Sequence, residues 1–509
     1  MKFPLKPNRR QVIQSLAASA AATCVPCSVR AQQGLDPKFL IVITASGGAS
    51  IIDAMLAIRE GESNQGSLIN TFPDGQVLDI GASPFRAVDL TISNLGPIPH
   101  LSETNQSAFV QAHQNQMMIT TSTGTSVNHV IAQKRSLTGN DAWSGRTLQE
   151  AVAAQYGAEV PIPNVNMSTG GYVEPGIDAS LPDYARAEVV VDPLLWFAGL
   201  HGSKGVAGAP AQSLIEKARR LRDERFGPNS GFGRTFKNSA ALRTWRARRA
   251  KVREYEAADL VRKANVFSDM IDVGGGRTLA DYGLLSNAED VQRVRLAFPN
   301  MGFDRLEQQG ALAYLLIKNG ISVTVTLGDS AAPVIPPNEL ITPTRIVDSP
   351  PLGFDFSHTN HRDAQAVMWH RLLSVSQRLI QLLQNAEYGG GESFWDRSML
   401  YVATDFGRTR VRAAGSTDFG SGHHLNNGNL FVSPLVNGGR VLGGVNPHNG
   451  ITYGFDPQTG APAGPDAPEA LDNLGRQMTE AEIFAGALQA LGIDTSGTTL
   501  PNVPAMSAS

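Results

Sequence analysis

Cysteine is nearly absent from this chain: two residues in 509, Cys24 and Cys27. Both lie in the first 31 residues, which read as a removable leader. Their C-x-x-C spacing is then incidental, and the mature chain has no thiol for a disulfide or a thiolate metal site. An excess of one charge is lacking too. Lys and Arg number 43 against 46 Asp and Glu, which argues against nucleic acid as the main partner. No apolar run reaches the ~20 residues a helix needs to cross a bilayer, so no stable membrane anchor is expected. There is no internal repeat, and the length suits one large α/β domain or two smaller ones.

What is present begins with the leader. Asn8-Arg9-Arg10-Gln11-Val12-Ile13 puts paired arginines before a mildly apolar, Ala-rich run, and Val29-Arg30-Ala31 offers a small-residue cleavage site. The pattern resembles a twin-arginine signal, with Asn8 where Ser or Thr is commoner. An ordinary secretory signal or an unstructured start is the alternative, and Thr23 disfavours a lipid anchor at Cys24. Removing residues 1–31 takes five of the 43 basic residues (Lys2, Lys6, Arg9, Arg10, Arg30) and no acid. That leaves 38 against 46, or −8. The expected location is periplasmic or secreted, with the twin-arginine translocase as export partner. That route carries folded proteins, which is compatible with a metal loaded before export.

The mature chain reads as alternating strands and helices. Residues 39–44 and 116–121 are short apolar runs of the kind buried on both sheet faces. The second run feeds a Ser/Thr/Gly loop and a helix over about 127–137. Residues 189–191, 321–327, 399–403 and 430–432 read as further strands. With helices between them, this predicts a doubly wound α/β sheet. A helical insertion dense in arginine is expected at about 211–264. Its bland reading is an amphipathic pair with a solvated face, and its sharper reading a docking surface for an acidic partner. Residues 331–352, rich in proline, read as an ordered loop delivering Asp355. A helix over 362–384 places Val367, Leu372, Val375, Leu379 and Leu382 on one face. A capping box, Thr479 with Glu482, opens the last helix. The main domain is expected over 32–495, with a flexible tail at 496–509.

Chemistry concentrates between Gly353 and His424. Asp355, His358 and His361 share one short loop, Asp405 follows a buried strand, and His423 and His424 open the next loop. Carboxylates and imidazoles gathered at strand ends suit a divalent metal ion. The competing reading has Asp355 accepting backbone hydrogen bonds and the histidines as polar residues at a helix start. Arg408 is either an oxyanion binder or a structural ion pair. Thr125 or Ser126, before a helix, is either a metal-activated nucleophile or a plain N-cap, and His129 sits on that helix's first turn. Asp53, after the first strand, is a further candidate ligand.

The order of elements resembles the exported bacterial family catalogued as domain of unknown function 1501, within the alkaline phosphatase and sulfatase superfamily. The resemblance rests on Gly47-Gly48, His129 to Gln133 with Thr138-Gly139, Asp355-x-x-His358, Asp405-Phe406-Gly407-Arg408-Thr409, His424 and Gly443-Gly444. It covers nearly the whole mature chain. It implies an alkaline phosphatase-like sheet, mostly parallel with helices on both faces, and a site at the strand ends. It further implies a metal site of Asp355, His358 or His361, and His424 or His423. A second site would use an early aspartate, the nucleophile and an Asp-His pair. Here Phe406 stands where the phosphatases have histidine, and Asp53 lies further past the first strand. A phenyl ring cannot coordinate, so one metal is expected: zinc, manganese, iron or calcium. The function expected is hydrolysis of phosphate or sulfate esters, small or polymeric. The alternative is a degenerate phosphatase fold kept as an exported binding or assembly factor.

Overall fold

The computed structural model describes residues 36–89, 105–194, 196, 210–239, 241–243, 245–246, 260–270, 275–286, 288–302, 304–328, 353–416, 419–464 and 475–508. The leader and the proline-rich stretch 331–352 lie outside the described residues, as does 247–259 of the arginine-rich insertion.

Eight strands form the central sheet: β1 (Phe39–Ala45), β2 (Met117–Thr123), β3 (Asn164–Asn166), β4 (Glu188–Val189), β5 (Thr324–Gly328), β6 (Ser398–Thr404), β7 (Asn426–Val432) and β8 (Arg440–Leu442). Their order is β8-β2-β7-β6-β1-β5-β3-β4. All neighbours pair parallel except β7, which runs antiparallel to both β6 and β2. The sheet is therefore mostly parallel, with one reversed strand near the middle. That reversal matters for the site. The amino end of β7 lies at the same edge as the carboxyl ends of β1, β2 and β6, so a loop entering β7 joins the loops leaving the others.

β1 and β6 are buried at every position, which is why their sequences are continuous apolar runs rather than alternating ones. Phe39, Ile41 and Ile43 face one core, while Leu40 and Val42 face the other. Among the helices that bear on these cores and on the strand ends are α1 (Gln106–His113), α2 (His129–Thr138), α3 (Leu148–Tyr156), α4 (Arg305–Lys318), α5 (His361–Gln384) and α6 (Glu480–Ala490). α4 and α5 fill the first core, and α6 with much of α3 fills the second. The five apolar positions expected on α5 are all buried. Packing also covers its polar side. Arg371 and Arg378 meet Asp304 and Glu307 at 2.8 and 2.5 Å, pairings that no helical periodicity encodes.

Several expectations need correction. Residues 321–323 precede β5 rather than belonging to it, and only Val189 of residues 189–191 is in a strand, at the exposed sheet edge. α2 starts at His129, because the Asn128 side chain caps it by accepting from the Ile131 N–H at 3.3 Å. The tail beyond Ile493 does not fray. Val503, Ala505 and Met506 enter the second core, and Asn437 and Met506 share a 3.1 Å backbone hydrogen bond. Side chains that find a cavity beside α6 outweigh the tail's weak local preferences. The capping box holds: Thr479 and Glu482 bond reciprocally. In the insertion, Gln212–Phe226 is helical with Leu214 and Leu221 exposed. Among the described residues no helix is long and apolar enough to cross a membrane.

Candidate metal centre

The site forms where β1 and β6 end side by side. Their register pairs Ala45 with Thr404, so the turn after β1 lies against Asp405. Gly47 and Gly48 have φ of +98° and +87°, a conformation glycine adopts without the penalty a Cβ incurs. It aims two successive N–H groups at one carboxylate. Asp405 accepts from the Gly47 and Gly48 amides at 3.1 and 2.8 Å and from Phe406 N–H at 3.2 Å. It also accepts from His129 Nδ1 at 2.8 Å and Gln133 Nε2 at 3.4 Å. A buried carboxylate is tolerated when its lone pairs are satisfied in this way.

His129 is thereby oriented. An ionised carboxylate only accepts, so Nδ1 carries the proton that bonds Asp405, and Nε2 faces Asp355 Oδ1 at 3.4 Å. His423 is fixed by the same logic. Its Nδ1 lies 2.9 Å from the Val127 carbonyl oxygen, and its Nε2 lies 3.2 Å from Asp355 Oδ1. His358 Nε2 stands 2.8 Å from His423 Nε2 and 3.1 Å from Asp355 Oδ1. His129, Asp355 and His423 offer ligand atoms that all lie within 4.8 Å of one another, a set able to hold one metal ion. The outer nitrogens of both histidines are tied to protein acceptors, the usual way a metal-binding imidazole is oriented. Phe406 is fully buried beneath them, stacked on His423 at 4.1 Å and 4.8 Å from His129. Where the resemblance calls for a ligand, the ring serves as an apolar floor.

The charges fit a cation site. Burial works against ionising Asp355, but hydrogen bonds from His129 and Arg408 outweigh it and hold its carboxyl well below the usual range. The His129 imidazole is pushed up to about 9, first by its hydrogen bond to Asp355 and then by Asp405. Burial, then the Arg408 charge, lowers His358. A raised folded-state pKa contributes stability that is complete below the unfolded value of 6.5 and lost as pH rises through about 9. The metal-free protein should accordingly lose resistance to urea between about pH 7 and about pH 9, while divalent metal, which displaces the Nε2 proton, should bind more tightly over the same range. Urea midpoints across that range check this, with His129→Gln as the comparison; an equal slope in that variant contradicts it.

Other expected site residues sit elsewhere. His424 neighbours His423 in a two-stranded ribbon, where Gly407 pairs with His424 and Arg408 with His423. Successive side chains on a strand point to opposite faces, so only one of the two reaches Asp355. His424 instead lies 3.1 Å from Arg410 Nη1 and accepts from Asn426 N–H. His361 opens α5 and turns into the core, where its Nε2 meets Asp53 at 2.9 Å. Asp53 therefore belongs to a separate buried cluster. Arg408 is fully buried, with its guanidinium bonded to the Gly47, Phe354 and Ser421 carbonyls and to Asp355. Its donors are committed to acceptors on three segments of the chain, which favours the ion-pair reading over the oxyanion one. Thr125 Oγ1 bonds Glu480 and Arg135, and Ser126 Oγ accepts from the Asn128 N–H. Neither hydroxyl contacts the metal-ligand set.

Gln133, named in the sequence only as the end of a motif and given no role there, also bonds Ser46 Oγ and the Gly171 amide. Its signal was its place four residues after His129, one helical turn along the same face. Sequence reasoning missed the Val127 carbonyl altogether, since a backbone acceptor leaves no trace in side-chain identity. No family model, curated protein or solved structure matches the chain.

Proposed function

We propose that this chain is a metal-dependent hydrolase of phosphate or sulfate esters, on an alkaline phosphatase-like fold and exported by the twin-arginine route. The observation that carries the reading is the convergence of His129 Nε2, His423 Nε2 and Asp355 Oδ1, with both outer imidazole nitrogens anchored. The mostly parallel sheet and the strand-end position of the site support it, as does the resemblance drawn from the sequence. A divalent ion held there would act as a Lewis acid on a phosphoryl or sulfuryl oxygen. The chain's own part is to hold and shape. Asp405 fixes His129, the Val127 carbonyl fixes His423, and Phe406 keeps water from beneath the rings. Side-chain exposures of 30% for His129, 21% for His423 and 46% for His358 leave the opposite side open to an ester.

A second reading is favoured by the commitments of Arg408 and Thr125: a metal-binding scaffold without ester chemistry. The decisive comparison uses wild type and His423→Ala. Elemental analysis should find about one equivalent of metal in wild type, and the variant should bind it more weakly by more than ~100-fold, beyond the effect of losing an outer hydrogen-bond partner. Hydrolysis of aryl phosphate or aryl sulfate should disappear with the metal. Metal without hydrolysis selects the scaffold. Equal metal in both proteins removes the site.

A further inference from the structure

Beneath the proposed metal ligands lies a second constellation that the chemistry above does not use. His361 Nε2 is 2.9 Å from Asp53 Oδ2, and His361 Nδ1 is 2.7 Å from Ser421 Oγ. The Asn70 amide donates to both Asp53 oxygens at 2.9 Å. Asp, His and Ser in a hydrogen-bonded line make up a nucleophile triad by composition. Burial rules out that use: Asp53 and His361 are 0% exposed and Ser421 is 4%, so no substrate reaches the hydroxyl.

What the line does contact is the scaffold of the metal ligands. His361 follows His358 by three residues, and Ser421 precedes His423 by two. The two segments are joined by His361 N–H to the Phe419 carbonyl at 2.9 Å and Ser421 N–H to the Ser357 carbonyl at 2.8 Å. His361 also stacks on Phe419 with ring centroids 5.0 Å apart. Gly420 passes so close to the His358 carbonyl that a methyl group there would overlap it. Asp53 accepts from Nε2–H, and Nδ1 shares a hydrogen bond with the Ser421 hydroxyl, whose oxygen also lies 3.4 Å from the Ser357 carbonyl oxygen. The chain Asn70, Asp53, His361, Ser421 thus ends at the segment that presents His423, whose Nε2 stands 2.8 Å from that of His358.

We infer that Asp53, His361 and Ser421 form a buried positioning relay that sets His423 against His358 and Asp355, and through them the metal affinity of the site. In its last clause this rests on the metal reading above. The test compares full-length wild type, Ser421→Ala, Asp53→Asn and the double variant, using two readouts. In metal-free protein, the imidazole Cε1–H resonances of His358 and His423 should move in both single variants, although Asp53 touches neither ring. With Co2+ as the probe, Ser421→Ala should bind about 10- to 100-fold more weakly with an altered visible absorption spectrum. The double variant should bind no more weakly than Ser421→Ala alone, because the two changes break one line. Unmoved His423 resonances in Ser421→Ala overturn the relay, as does additive loss in the double variant. If wild type takes up no Co2+, the metal reading fails while the resonances still decide the relay. Should Asp53→Asn fail to fold, Ser421→Ala carries the test by itself.

Discussion

Asp405→Ala should destabilise the protein by about 3–5 kcal/mol, the range for removing one partner of a buried charged pair. The carboxylate satisfies the Gly47, Gly48 and Phe406 amides together with His129 and Gln133. Alanine leaves these donors facing a cavity, at about 1–3 kcal/mol for each that water cannot reach. His129 would also lose the acceptor that fixes its Nδ1 proton. Metal affinity should then fall about 10- to 100-fold even where the fold survives. Asp405→Asn separates the two effects. It keeps the volume and one acceptor, so its urea midpoint should lie between wild type and alanine. An alanine variant that unfolds at the wild-type midpoint would show the amides satisfied by something else.

Gly47→Ala should cost about 2–5 kcal/mol, by a different route. Its φ of +98° costs a residue with a Cβ about 1–2 kcal/mol. The methyl would also overlap the backbone nitrogen of Asp355, and overpacking adds about 1–3 kcal/mol. Backbone cannot swing aside as a flexible side chain does, so relief must come from moving Asp355 and with it the ligand set. Gly81→Ala is the control. That residue also has positive φ, at +57°, but nothing lies within 4 Å of the added methyl. It should show only the conformational cost, about 1–2 kcal/mol, with metal binding unchanged. Equal destabilisation in the two variants would mean the contact with Asp355 contributes nothing.

Much of this site was legible as a neighbourhood and little of it as a geometry. The segment from Gly353 to His424 drew attention because aspartate and histidine clustered at predicted strand ends, and three of its residues, Asp355, His358 and His423, do converge. His129, read at a helix start as a catalytic candidate facing the same pocket, has no partner assigned in the sequence, and Asp355 and Asp405 flank it. The choice between His423 and His424 was left open, and strand alternation in the ribbon with Arg408 resolved it. His361, read as a ligand beside Asp355, and Asp53, read as a further ligand after the first strand, are partners of each other.

By itself the sequence determined the elements. Continuous apolar runs made β1 and β6 interior strands, the Thr479 and Glu482 pair opened α6, and the apolar positions of α5 chose the face that meets the core. These are local preferences and periodicities, carried by residues within a turn or two of each other. Only the tertiary structure decided the pairings between distant residues. β7 runs against its neighbours and so brings His423 to the edge where β1, β2 and β6 end. The Gly47-Gly48 turn donates to a carboxylate more than 350 residues away, at separations of 358 and 357, and the tail closes the second core. Strand order, register and burial fix such contacts, because an imidazole or carboxylate takes its role from whichever donors and acceptors the fold sets around it.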